Sequence, residues 1–264
     1  MLRLPTYFVS HGGGPWPWVP EWRRRFVNLE AALARMPSEI GDRPKAVIVV
    51  SGHWEGPEFA VMSAPRPPMV YDYSGFPQET YEIVYPAPGA PELAARAAGL
   101  IRAAGLPARL DETRGFDHGA FVPLYVMYPA AEIPAIQVSL KTGYDPAEHL
   151  ALGRALAPLR EDGVLIIGSG LSYHNLRLFG PEAREPSEAF DQWLAEALAA
   201  APDVRRQAIE DWAQAPYARI CHPREDHLAP LFVALGAAEA ETAVRVYHDV
   251  GLFGGVTASS YRFG

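Results

Sequence analysis

Short apolar, β-branched runs alternate with helix-like stretches along most of this chain, and that alternation confines it to the α/β class. The strand-like runs fall at 6–10, 45–51, 59–63, 107–111, 134–140, 163–168 and 243–248. Helix-like stretches lie at about 20–36, 91–105, 147–160, 187–200, 203–213 and 227–237. Two of the helix starts carry their own chemistry. Asp145-Pro146-Ala147-Glu148 offers an N-cap, a proline at the first helical position and an acid at the third. Ala90-Pro91-Glu92 repeats the proline logic before an Ala/Leu-rich run. No internal repeat and no low-complexity linker divides the 264 residues, and a single domain of that size buries roughly three quarters of its extended surface. The expectation is one domain over 1–264, with a central mixed or parallel sheet flanked by helices.

Three of the strand-like runs lead directly into a histidine. His11 follows Thr6–Ser10, His53 follows Ala46–Gly52, and His174 follows Val164–Ile167 and a Gly-Ser-Gly turn. In a parallel α/β sheet the carboxyl ends of the strands open on one crevice where ligands bind. Imidazoles at three such ends converge there from distant parts of the chain, and neutral imidazole is the commonest metal ligand. A histidine-rich metal centre at the strand ends is therefore the leading expectation. For His11, which runs into Gly12-Gly13-Gly14, and for His53, followed by Trp54, a plain turn is the competing account. His118, in Gly115-Phe-Asp-His-Gly119, suits acid/base work or substrate binding, against a reading in which Asp117 merely caps a helix. His222 and His227 flank Glu225 and Asp226, which are rival oxygen ligands, just before an amphipathic stretch. His149 and His248 read as structural or surface residues. The segment 64–90, rich in Pro, Gly and Tyr, reads as an ordered loop forming a wall of the site.

Charge and cysteine content narrow the partners. The formal net charge is −8, with no basic run, which argues against nucleic acid or an anionic membrane surface, since both require clustered positive charge. The one cysteine, Cys221, excludes an internal disulfide framework and a Cys-rich zinc site. The apolar stretch at 4–9 runs straight into the histidine and glycines without the pattern of a signal peptide, so a cytoplasmic location is expected. Gly168-Ser169-Gly170 lacks the spacing of a nucleophile elbow, because positions 167 and 171 are Ile and Leu. It is no dinucleotide fingerprint either. The dispersed histidines remain the main chemical signal.

The ordered set of motifs His11-Gly-Gly-Gly-Pro15, Val49-Val-Ser-Gly-His-Trp54, Gly75-Phe-Pro77 with Tyr85-Pro-Ala-Pro-Gly89, Gly115-Phe-Asp-His-Gly119, Tyr173-His-Asn175 and His222-Pro-Arg-Glu-Asp-His227 resembles the class III extradiol ring-cleaving dioxygenases, in the branch of DOPA 4,5-dioxygenase. The resemblance implies a non-haem Fe(II) centre that opens an aromatic ring beside two vicinal hydroxyls and consumes O2. It implies His11, His53 and His227 as metal ligands. His227 stands where related protocatechuate-cleaving enzymes place a Glu, so the site has one negative charge fewer and a bound Zn(II) is also compatible with it. It implies His174 as the acid/base that delivers a proton to the breaking O–O bond, close enough to the metal to be counted as a ligand, and His118 as a second histidine at the substrate. The implied partners are a small aromatic diol and O2. A zinc-dependent hydrolase using the same histidines is the first rival reading, and a non-catalytic metal-binding module the second. Arg114, Arg219, Arg224 and Arg262 are the arginines that sequence alone leaves unranked as substrate contacts.

Overall fold

The computed structural model describes residues 3–264. Its strands are β1 (Thr6–Ser10), β2 (Ala46–Gly56), β3 (Phe59–Met62), β4 (Ala108–Asp111), β5 (Ala135–Lys141), β6 (Val164–Gly170), β7 (Ala243–Leu252) and β8 (Val256–Phe263). They form one sheet in the order β4-β3-β5-β2-β6-β1-β8-β7. The middle four, β5-β2-β6-β1, are parallel. On one side β3 runs antiparallel to β5 with β4 parallel to it, and on the other β8 and β7 form an antiparallel pair against β1. The result is an α/β fold around a mixed, mostly parallel sheet.

The helices are α1 (Pro20–Arg23), α2 (Val27–Ile40), α3 (Pro91–Ala103), α4 (His118–Met127), α5 (Pro146–Leu156), α6 (Arg184–Ala199), α7 (Pro202–Glu210), α8 (Ala218–Cys221) and α9 (Ala229–Gly236). α9 lies on β1, β2 and β6 with α5 and α3 beside it, while α4 and α2 pack on the opposite face. That double cover explains the unbroken apolar runs: every residue of β1 and β6 is buried, as expected of parallel strands hidden on both faces. Asp145 caps α5 as its sequence implies, its Oδ1 accepting from Glu148 N at 3.0 Å. Among the described residues no helix is long and apolar enough to cross a membrane.

Several boundaries differ from the sequence expectation, each for a local reason. The stretch 20–36 is two helices, broken after Arg23 and resumed at Val27 as far as Ile40. The stretches 147–160 and 203–213 end earlier as α-helix and finish in 3-10 turns. β2 does not stop at Ser51 but continues to Gly56 through an irregularity between Val50 and Glu55. His53 therefore sits inside the strand, at the break in pairing, rather than beyond its end. β8 escapes the apolar-run criterion because Thr257, Ser259 and Ser260 are buried polar residues. α4 escapes the periodicity criterion because it is apolar on all sides and carries Pro123, as befits a helix buried except at Tyr125 and Val126.

Candidate metal centre

Gly168-Ser169-Gly170 is the hinge of the whole arrangement. Successive residues of a strand face opposite sides of a sheet, so the two glycines face the α9 side and Ser169 faces α4. A Cβ on Gly170 would lie 2.0 Å from the His227 carbonyl oxygen, and one on Gly168 2.1 Å from that of Pro230. The absence of side chains lets the segment 227–230 lie directly on the sheet, where Leu171 N donates to His227 O at 3.0 Å. His227 is thereby brought down to the strand ends, two residues ahead of α9.

On the other face, Pro123 has no N–H to give the carbonyl of Gly119 four residues before it. The Ser169 hydroxyl donates to that freed carbonyl. Having spent its one hydrogen there, Ser169 Oγ accepts from His11 Nδ1, 3.2 Å away. His11 is fixed with its proton on Nδ1 and a bare lone pair on Nε2. Ser169→Ala is expected to weaken metal retention about 10- to 100-fold, the usual effect of losing a partner that orients a ligand. Ser169→Thr should restore most of it. Competition against a chromogenic chelator reads both, and equal affinities in all three proteins would remove Ser169 from this role.

His53 Nε2 lies 3.2 Å from His11 Nε2 and 3.1 Å from His227 Nε2. Behind it, His53 Nδ1 faces Asp72 Oδ2 at 3.1 Å. The other oxygen of the same carboxylate accepts from His118 Nδ1 at 2.9 Å and from His118 N at 3.0 Å. Asp72 thus hydrogen-bonds the ring of His118 and lies beside that of His53, and nothing in its sequence context beyond the flanking Tyr71 and Tyr73 announces it. Burial would raise its pKa, but the hydrogen bonds it accepts from the ring and backbone N–H of His118 prevail and hold it at about 2. His227 Nδ1 is 3.2 Å from Asp226 Oδ1, off the line a hydrogen bond needs.

Burial, reinforced by the neighbouring imidazoles, holds His11 and His227 well below the ordinary histidine range and His53 at about 4. All three rings are neutral at pH 7, as metal ligands must be. Lone pairs aimed at one another 3.2 Å apart with no proton between them repel. A cation bound by each at about 2.0–2.1 Å removes that conflict and sets nitrogen spacings of about 3.0–3.4 Å. The donor set therefore fits a divalent transition metal held by His11, His53 and His227.

The remaining histidines divide. His118 joins His11 and His53 in one cluster whose potential ligand atoms lie within 4.8 Å of one another; His174, Asp226 and His227 form a second. His174 stacks on His227, ring centroids 3.4 Å apart and planes 20° off parallel, with Nδ1 3.6 Å from Asp226 Oδ1. The five histidines of these clusters, His11, His53, His118, His174 and His227, line a single cavity of about 520 Å³. His222 lies behind it, fully buried, its Nε2–H donating to Ser172 O at 3.0 Å, while His174 N donates to Cys221 O at 3.0 Å. These bonds lace the loop of His174 to the loop of His222. His149 is structural, accepting from Lys141 N and donating to Asp145 O.

The four unranked arginines are engaged elsewhere. Arg114 pairs with the buried Asp117 at 2.5 Å and lies over Trp54, and Arg224 pairs with Glu55 at 2.6 Å. Arg219 pairs with Glu225 at 2.8 Å, and Arg262 lies beside Tyr7. The arginine on the cavity lining is Arg25, which sequence reading did not single out.

Residues 22–264 match the family model described as the catalytic LigB subunit of aromatic ring-opening dioxygenase. The chain is 37% identical over its whole length to a protein of Hapsidospora irregularis named dioxygenase tasH, covering 86% of that protein. It is 37% identical to the 4,5-DOPA dioxygenase extradiol of Beta vulgaris, over 98% of this chain and 96% of the other. The Escherichia coli (strain K12) protein of that name is 33% identical over 92% of this chain and 89% of its own. The crystal structure of an uncharacterized protein from Escherichia coli K12 superposes with a TM-score of 0.80 at 27% identity, covering 99% of this chain and all of that one.

Proposed function

This chain belongs to the family of the catalytic LigB subunit of aromatic ring-opening dioxygenases, and from that premise we propose that it opens catechol-type rings at an Fe(II) ion held by His11, His53 and His227. The observation that carries the reading is the approach of His11 Nε2 and His227 Nε2 to His53 Nε2, at 3.2 and 3.1 Å, in one pocket. When bound, the metal supplies positions for the two diol oxygens and for O2, and a path for electrons from ring to oxygen. Zn(II) suits the same three imidazoles; membership of a dioxygenase family favours the ion that can exchange electrons.

The protein's own groups divide the proton work. The Nδ1–H of His118 donates a hydrogen bond to Asp72, so its Nε2 stands as an acceptor on the pocket wall. It takes the proton of the substrate hydroxyl, and the Asp72 carboxylate stabilises the imidazolium that results. His174 lines the same pocket beside His227, with Asp226 near its Nδ1. It is placed to return a proton to oxygen as the ring opens. The stacking of His174 on His227 supports this role as a neighbour of the metal over that of a fourth ligand. A catechol such as DOPA is the substrate class suggested by the names of the relatives in Beta vulgaris and Escherichia coli. The lone, buried Cys221 is in keeping with a reducing, cytoplasmic setting.

The test is anaerobic reconstitution with Fe(II), or with Zn(II) in parallel, followed by air-saturated L-DOPA and a panel of simple catechols. Oxygen uptake with a new yellow product is expected for the iron form alone. Absence of both signals across the panel, in protein that has taken up iron, would overturn the reading.

A further inference from the structure

A cavity of about 520 Å³ is of the size that holds a drug-like ligand, more than one diol ring requires. Its part away from the histidines is walled by aromatic rings from four separate stretches of chain. They are Trp22 of α1, Phe76 of the loop 64–90, Phe179 beyond His174, and Phe253 in the turn between β7 and β8. The rings form a continuous surface: the centroid distances are 5.2 Å for Trp22–Phe76, 6.1 Å for Trp22–Phe253 and 5.2 Å for Phe179–Phe253.

Two features show that this wall is built at some conformational cost. Phe253 has φ +52°, a left-handed conformation that disfavours a bulky side chain and persists only where the surroundings impose it. Gly14, at φ +53°, lies under Phe76, where a Cβ would come within 2.6 Å of the ring. The wall also continues outward, since Phe179 is 41% exposed and Leu176, on the same lining, is 70% exposed. Charge is scarce by comparison. Glu21 and Arg25 line this part of the cavity but both are exposed, and solvated charges at a rim contribute little to binding. Arg25 is turned over the face of Phe253, 5.8 Å from its centroid. An α-amino-acid head would thus exchange its hydration for two solvated side chains, whereas an aromatic group would gain a dry surface.

We propose that the preferred substrate is a catechol bearing an aryl substituent, which lies against Trp22, Phe76, Phe179 and Phe253, in preference to a catechol amino acid. The proposal rests on the ring-opening reading of the histidine centre. Calorimetric titration of the anaerobic Fe(II) protein with 4-phenylcatechol, catechol and L-DOPA tests it. The phenyl compound is expected to bind at least about tenfold more tightly than catechol, and L-DOPA no more tightly than catechol.

Phe253→Gly removes the ring and suits φ +52°, so it does not endanger the turn. It should bring the ratio of the phenylcatechol and catechol affinities down to within about threefold. Phe179→Ala, at a half-exposed position, should lower the ratio in the same direction. Tighter binding of L-DOPA than of 4-phenylcatechol would overturn the proposal, as would a ratio unchanged in both variants. Oxygen uptake with all three diols separates the two readings. Turnover with the binding order reversed overturns the aryl preference alone. Absence of turnover with the order intact overturns ring opening and leaves the aryl preference standing.

Discussion

Replacing His53 with alanine is expected to empty the metal site. Its Nε2 is the middle member of the three, 3.2 Å from His11 and 3.1 Å from His227, so no pair of the remaining nitrogens inherits its place. Loss of a residue that merely orients a ligand costs about 10- to 100-fold in metal affinity, and loss of the ligand itself should exceed that. The variant should leave a desalting column with essentially no bound metal, and ring-opening activity should vanish with it. The sheet should survive, because His53 sits at an irregularity of β2 whose flanking pairs with β5 and β6 do not involve its side chain. Metal content measured by elemental analysis, beside circular dichroism, reads both. A variant with a normal metal content would remove His53 from the ligand set.

The second large effect is expected at His174. Phenylalanine keeps a flat ring to stack on His227, as the imidazole does at 3.4 Å, but carries no proton. In His174→Phe, kcat should fall by about 100- to 10,000-fold, the range that general acid/base groups supply. Metal content and anaerobic diol affinity should stay within about threefold of wild type. The split matters because a fourth ligand would behave differently: its loss would lower metal retention first. Normal turnover in the variant would take His174 out of the chemistry altogether.

His11 and His174 were legible in the sequence because they follow the apolar runs of β1 and β6, and a parallel sheet gathers such ends; His53 was found by the same rule although it sits within β2, at its irregularity. His11, His53, His118, His174 and His227 all reach one cavity. What could not be read is the apparatus that orients them. Asp72 lies in an irregular loop with no period to mark it, and its value comes from two rings, of His53 and His118, that reach it from elsewhere in the chain. Ser169 sits in a Gly-Ser-Gly triplet that matches no catalytic motif. Its role depends on a carbonyl freed by a proline 46 positions earlier, in a helix that apolar periodicity cannot reveal. β8 was hidden for a related reason. Its hydroxyl-bearing residues are buried because backbone and side-chain partners meet their polar groups, as where Ser10 N donates to Ser260 Oγ at 2.9 Å and Ser259 N to Ser172 Oγ at 2.8 Å. Local sequence records which atoms need partners, but the partners are supplied by the fold.

The position of β1 in the sheet also bears on the order in which the molecule comes into being. Its neighbours are β6 and β8, so β1, made before either of them, waits for residues 164–170 before it has an edge to join, and for 256–263 before it is enclosed. His11 is carried at the end of that strand, and His227 arrives just ahead of the last helix. A nascent chain emerging N-terminus first therefore passes most of its synthesis with its histidines scattered. Metal capture therefore waits for His227 and for the strands that hold β1 in place, and a fold that holds all three histidines, rather than a shorter fragment, is what the ion meets.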